Sequence, residues 1–512
     1  MKSVGERLRA LGPAALHGIR RGIEKESLRV RPDGTLAATP HPAGLGSALT
    51  HPHVTTDFSE AQLELITGVH AGVESCLEEL TAIHQAVYRQ IGDELLWCAS
   101  MPCGLPADDA IPIGRYGGSN VGQAKTVYRI GLAHRYGRRM QTISGIHYNF
   151  SLPGVSNDGY FALIRNFRRH SWLLLVLFGA SPAVCASFVE GREHDLEPLA
   201  PGTLGRPWAT SLRMGRLGYQ SDAQAALAVS YNSLESYAAS LQDALTKPWP
   251  PYEAIGVRAG GDAGGDAGGE YRQLATSLLQ IENEFYGTIR PKRVVRPGER
   301  PLHALRERGV EYVEVRCMDL DPFCPAGIAA ETMRFLDVFL LHCLLAESPP
   351  DSPAEISALA RNQHRVAARG REPGLTLARG GQEVALFEWG GQVLAECQPI
   401  AAALDAAHGA SRYREALAAA VTALADAGSL PSARMLSEMR GRFDGSFLRF
   451  GLAHSVGHRR ALEALPLAPE AERRFARLAE ESVAEQRRIE AADDVPFETY
   501  RQRYLAQKQL EA

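Results

Sequence analysis

What this 512-residue chain lacks narrows its chemistry first. No two of its eight cysteines form a CxxC pair, and they are spread from Cys76 to Cys397. A zinc site or disulfide framework written into a sequence clusters its cysteines. All eight therefore read as reduced thiols; Cys98 and Cys103 could pair under oxidation, but nothing in the sequence demands it. There is no strong charge of either sign: 55 Lys and Arg stand against 59 Asp and Glu, a net charge of −4. That balance predicts no nucleic-acid partner and no anionic membrane surface. The longest apolar run, Trp172 to Phe188, is broken by Gly179, Ser181 and Pro182. It falls short of the ~20 apolar residues a membrane span needs and predicts a buried helix ending near Gly179. The first residues are mixed and charged, without the apolar core of a secretory signal, so the expected location is the cytoplasm.

Both common phosphate-binding glycine loops are also missing. No GxGxxG follows a strand. The nearest approach to a P-loop is Gly117-Gly-Ser-Asn-Val-Gly122-Gln-Ala-Lys125-Thr126, where Gln123 occupies the place of the lysine that must follow the second glycine. This segment reads as a turn leading into a helix. If a nucleotide binds, metal ions and arginines must hold it.

Residues 20–67 read as strands and loops around the connection from Arg31 to Ser47. Apolar Leu77, Leu80, Ile83, Val87 and Ile91 predict an amphipathic helix over 74–92. A second helix is expected over Asp158 to Phe178, and a fully buried one over Ala330 to Ala346. Met140 to Leu152 alternates, with Ile146, Tyr148 and Phe150 on one face and Gly145, His147 and Asn149 on the other, which predicts a strand. Pro466 to Gln509 reads as surface helices laced with opposite charges. The Gly260–Gly269 repeat reads as a flexible loop. The division expected is a sheet-and-helix core over 1–350 and a mainly helical extension over 351–512, packed together as one unit.

Four acidic segments carry the chemistry: Glu24-Lys-Glu26, Asp57-Phe-Ser-Glu60, Leu63-Glu64-Leu and Glu314-Val-Arg316. Residues two apart on a strand share a face, so Glu24 lies beside Glu26 and Glu314 beside Arg316. A carboxylate is rarely left on an inward face unless it is paired or holds a cation, and Mg²⁺ typically bridges carboxylates to a substrate phosphate. Each motif also has a bland reading: a solvated strand face for Glu24 and Glu26, a helix capping box for Asp57 and Glu60, a core histidine for His147, an ion pair for Glu314 and Arg316, and a basic surface turn for Arg290, Lys292 and Arg293. Their joint occurrence favours a nucleotide-dependent enzyme.

These residues belong to longer motifs. Arg21-Gly-Ile-Glu-Lys-Glu-Ser-Leu-Arg-Val30, Thr55-Thr-Asp-Phe-Ser-Glu60, Met140-Gln-Thr-Ile-Ser-Gly-Ile-His-Tyr-Asn-Phe-Ser151, Ala209-Thr-Ser-Leu-Arg213, Gln280-Ile-Glu-Asn-Glu284, Ile289-Arg-Pro-Lys-Arg293 and Glu311-Tyr-Val-Glu-Val-Arg316 occur in this order. Together they resemble the proteobacterial glutamate–cysteine ligases of the Escherichia-type group. The resemblance implies an α+β fold: a curved antiparallel sheet forming a funnel-like active site, as in glutamine synthetase, with helices outside. It implies Mg²⁺, with Mn²⁺ as a substitute, held by Glu24, Glu26, Asp57, Glu64, His147 and Glu314, and a phosphate-side arginine at Arg316. It implies a cysteine pocket of Phe58, Tyr128, Arg129, Ile143, Arg213, Tyr219 and Tyr286. The substrates implied are ATP, L-glutamate and L-cysteine, and the expected form is a monomer. A ligase of the same fold joining glutamate to another amine, and a non-catalytic Mg²⁺/nucleotide-binding protein, remain the competing readings.

Overall fold

The computed structural model describes residues 4–218, 222–225, 227–260, 269–296 and 298–506. Tyr219 and most of the Gly260–Gly269 segment lie outside the described residues. The central feature is a seven-stranded antiparallel sheet. Its strands are β1 (Arg20–Val30), β2 (Val54–Thr56), β3 (Gln62–Ile66), β4 (Leu95–Leu96), β5 (Ile146–Ser151), β6 (Ile289–Lys292) and β7 (Tyr312–Met318). The lateral order is β2-β3-β1-β5-β7-β6, and β4 pairs with the far end of β1.

Alternation along the strands sends one set of side chains into the core. Ile23, Leu63, Leu65, Ile146, Tyr148, Phe150, Val313 and Val315 join a single hydrophobic cluster on the convex face. Helices cover that face: α2 (Val73–Tyr88), α4 (Asn157–His170), α5 (Trp172–Phe178) and α6 (Ala330–Leu345), with the N-terminal α1 (Val4–His17) packed on α6. Helix α6 is apolar almost all round and is buried accordingly. The opposite, concave face carries the acidic residues and is closed partly by α3 (Asn120–Tyr136), whose N-terminus is capped by the Ser119 hydroxyl accepting from Gly122 N–H.

Beyond residue 350 the chain is mostly helical. The helices α8 (Leu386–His408), α9 (Arg412–Ala425), α10 (Phe447–Ala464), α11 (Pro469–Ala492) and α12 (Phe497–Leu505) follow α7 (Pro353–Arg369). Leu386, Trp389, Val393, Leu417, Leu462 and Phe475 belong to the same hydrophobic cluster as the strands. Helix α11 packs against α2, and α12 against α3.

Two local expectations need correction, and the capping-box alternative for Asp57 and Glu60 falls away. The helix expected over 158–178 divides at Ser171. There the Trp172 indole N–H and the Ser171 hydroxyl donate to the carbonyls of Arg169 and Arg168, which a continuous helix would use itself. Asp57 and Glu60 start no helix. They lie in the tight connection between β2 and β3, where the Glu60 carboxylate accepts the backbone N–H groups of His41 and Arg115. Cysteine pairing also differs from expectation. Cys103 forms a disulfide with Cys185, 82 residues on, because a short strand (Ala183–Cys185) folds back beside the Cys103 loop. Cys98 instead donates to the Gly451 carbonyl.

Candidate active site

The strand register builds the site. Glu26 on β1 is directly opposite Glu64 on β3, and Glu24 is opposite His147 on β5. Asn149 on β5 is opposite Glu314 on β7, which in turn faces Arg290 on β6. Because every pairing is antiparallel with side chains alternating, one concave row runs Glu64, Glu26, Glu24, His147, Glu314, Arg290 across five strands. Asp57 joins it from the β2–β3 connection.

The contacts are close. His147 Nδ1 lies 3.1 Å from Glu24 Oε2 and 3.8 Å from Glu314 Oε1, and its Nε2 lies 3.5 Å from Glu26 Oε1. Asn149 donates to the second Glu24 oxygen at 2.9 Å, and Gly145 N–H donates to Glu26 Oε2 at 2.7 Å. Glu314 is gripped by two cations: Lys292 Nζ at 3.2 Å from one oxygen and Arg316 Nη1 at 3.2 Å from the other. Single ligand atoms of Glu24, Glu64 and His147 lie within 4.8 Å of one another.

Electrostatics divide this row. Burial pushes the Glu64 carboxyl well above the ordinary range, and the charges of Glu24, Asp57, Glu26 and Glu314 push it further. Burial and Asp57 also raise Glu26. At Glu314 burial works in the same direction, but Lys292 and Arg316 overcome it and hold the carboxyl well below its usual value. The β1–β3 side therefore has an excess of negative charge, and the β7–β6 side supplies positive charge.

The row opens into a cavity of about 730 Å³, ample for a nucleotide-sized ligand. Phe58, Tyr128, Arg129, Tyr286 and Arg316 line it with Glu24, Glu26, Asp57, Glu64, His147 and Glu314. A second cavity of about 420 Å³ shares Tyr286 and Arg316 with the first and adds Arg213, Gly287, Thr288 and Gln363. Arg213 is buried, and its Nη2 donates to the Arg316 carbonyl at 2.9 Å. A Cβ at Gly145 would collide with that same nitrogen, so only glycine lets the guanidinium lie against the start of β5. Arg129 rests over the Tyr116 ring at 4.4 Å and donates to the carbonyls of Lys125, Thr56 and Asp57. Ile143 lines neither cavity and is buried in a second hydrophobic cluster with Leu212.

Some cavity residues are not apparent from the sequence pattern. Arg290 and Lys292 are not in a surface turn. They sit on β6, where Arg290 is buried and donates to the carbonyls of Asn283 and Phe285. The alternation of Ile289 and Pro291 with Arg290 and Lys292 is the one local signal of that strand. Lys125, part of the segment that fails as a P-loop, also lines the large cavity. Burial and the neighbouring Arg129 bring its amine down to about 8. Val121, Ala124, Lys125, Tyr128, Arg129 and Leu132 share this wall at helical spacing.

The donor set suits a hard divalent cation. It is one imidazole and a set of buried and half-buried carboxylates that repel one another, which is the chemistry Mg²⁺ or Mn²⁺ relieves.

The family model described as Glutamate-cysteine ligase matches residues 8–366. A glutamate–cysteine ligase of Alcanivorax borkumensis is 48% identical over 522 aligned positions, covering 98% of this chain and 99% of the relative. One from Bordetella bronchiseptica is 50% identical, covering 95% of this chain and 94% of the relative. Among solved structures, the glutamate–cysteine ligase of Francisella tularensis in complex with AMP superposes with a TM-score of 0.90 at 35% identity, covering 96% of this chain and 98% of that one. A bifunctional glutathione synthetase from Pasteurella multocida superposes with a TM-score of 0.72 at 25% identity, covering 94% of this chain and 58% of that one.

Proposed function

This chain belongs to the glutamate–cysteine ligase family, and we propose that it joins the γ-carboxylate of L-glutamate to the amine of L-cysteine with ATP as co-substrate. The route is a γ-glutamyl phosphate, and the product, γ-glutamylcysteine, is the first intermediate of glutathione biosynthesis. The observation that supports this most directly is the concave row: carboxylates crowd one side of His147, and Glu314 with Lys292 and Arg316 stands on the other.

A carboxylate is a poor electrophile, so the reaction needs an activated acyl group before the amine attacks. Glu24, Glu26, Asp57, Glu64, His147 and Glu314 are the residues that would hold Mg²⁺. A divalent cation held there would supply positive charge to offset the negative charge of the phosphate oxygens. Arg316, braced by Glu314, stabilises charge on the transferring phosphoryl group, where a planar guanidinium serves better than an ammonium. Lys292, Arg290 and Lys125 add positive charge along the same cavity. Phe58, Tyr128, Arg129 and Tyr286, which line the large cavity, and Arg213, which lines the second, form the cysteine side. Arg213 or Arg129 grips a substrate α-carboxylate, and the Arg213 bond to the Arg316 carbonyl ties the amino-acid end to the phosphoryl end.

Among the described residues no helix is long and apolar enough to cross a membrane. We assign the protein to the cytoplasm as a monomer acting on small molecules. The test is phosphate release with each substrate omitted in turn. Release that requires ATP, glutamate and cysteine together supports the proposal. Release with another amine in place of cysteine identifies a different ligase, release from ATP alone a phosphohydrolase, and no release a binding protein.

A further inference from the structure

A second group of metal-type side chains lies behind the sheet, outside both cavities. His170 ends α4, His342 and Cys343 are adjacent on α6, and Glu396 projects from α8. One ring nitrogen from each histidine and the Cys343 sulfur lie within 4.8 Å of one another. His342 and Cys343 are fully buried. The Nδ1 atoms of His170 and His342 are both buried without a hydrogen-bond partner, and so is Nε1 of Trp389, whose ring packs on His170. Orphaned buried nitrogens cost stability unless something satisfies them. At the other edge of His342, Nε2 is 2.8 Å from Glu396 Oε2. That is the carboxylate–histidine arrangement that orients an imidazole toward a metal.

We propose that His170, His342 and Cys343 form a structural metal site, distinct from the active site, that takes a zinc-class cation, with Glu396 positioning His342. Two imidazoles and a thiolate are borderline-soft donors that suit Zn²⁺, whereas the carboxylate row of the active site suits Mg²⁺. Tetrahedral bond lengths place such ligand atoms about 3.5 Å apart, a spacing that three groups already within 4.8 Å of one another can reach by small side-chain adjustments. The site clips α4 to α6 and, through Glu396, to α8. Adjacent positions 342 and 343 with a histidine far upstream match no familiar zinc spacing, which explains why the sequence is silent here.

The experiment uses the full chain in thiol-free buffer, stripped with chelator and then loaded with Zn²⁺ or Co²⁺. The expected result is one equivalent of zinc that excess Mg²⁺ does not displace, a thiolate-to-cobalt charge-transfer band in the Co²⁺ form, and a higher Tm on loading. Cys343→Ser should abolish the band, and His170→Ala and His342→Ala should each weaken binding at least tenfold. Glu396→Gln should weaken it roughly 10–100-fold. Glu64→Gln, which alters only the active-site set, should leave this equivalent in place. Failure to retain zinc, a band that survives Cys343→Ser, or loss of the equivalent in Glu64→Gln overturns the proposal. If Cys343→Ser does not fold, zinc-edge X-ray absorption on the unaltered protein decides: a sulfur neighbour at about 2.3 Å supports the site, and a shell of oxygen alone refutes it.

Discussion

The two faces of β1 handle charge in opposite ways. On the convex face Arg21 meets Asp337 at 2.9 Å, both side chains almost wholly buried. Asp337 also accepts from Tyr148 at 2.8 Å and Tyr413 at 3.3 Å. One carboxylate is thus served by a guanidinium and two hydroxyls. On the concave face, three residues along the same strand, Glu24 and Glu26 share a cavity with Asp57, Glu64 and Glu314, and the Lys292 and Arg316 ion pairs are made at Glu314. The convex network is saturated and holds the fold. The concave row is left with surplus negative charge, a local conflict of the kind proteins retain where they act.

The contrast can be broken most sharply at Arg316. Arg316→Lys should lower turnover by ~10³-fold or more, about 4 kcal/mol of barrier, with Tm unchanged. Glu314→Gln should also lower turnover sharply without unfolding. Near-normal phosphate release in both purified variants would put the site elsewhere. Arg21→Met tests the other face. It strands the Asp337 charge in the core and should cost about 3–5 kcal/mol in denaturant unfolding, with activity per folded molecule retained.

Glu64→Gln separates the two roles in one residue. Activity should fall on the order of 10²-fold, while the metal-free chain gains stability. The sign follows from linkage. The Glu64 carboxyl is raised in the folded state, so the folded chain binds more protons than the unfolded one above the ordinary carboxylate value, and stability declines as pH climbs through that window. Melting in chelator should show this slope for the unaltered chain and a flatter one for the variant. A smaller effect is expected at Glu79, a paired carboxylate on α2. Burial opposes its ionisation, but His70, Gly68 N–H and Arg474 bring it down to about 2. Its contribution is present above the ordinary carboxylate value and disappears as pH falls through about 2. Glu79→Gln should remove about 1–2 kcal/mol at neutral pH.

Much of the site is legible in the strand pattern. Alternation around Glu24, Glu64, His147 and Glu314 gives each its strand face, and the helices over 73–88 and 330–345 follow from apolar spacing. Arg290 and Lys292 resist such reading because a four-residue strand containing Pro291 looks locally like a basic turn. Lys125 is hidden because its role depends on which wall α3 faces. The Cys103–Cys185 pair and the split at Ser171 depend on partners the local pattern does not name.

By itself the sequence determined which side chains stand together along a strand, because a period of two is a property of the extended backbone and needs no distant partner. The tertiary structure alone decided that Glu24 lies opposite His147, that Glu314 follows through Asn149, and that Arg21 finds Asp337 316 residues away. Those pairings are chosen by burying the apolar face of every strand at once under α2, α4 and α6. Burial acts between segments far apart in the chain, so no local window of residues contains it.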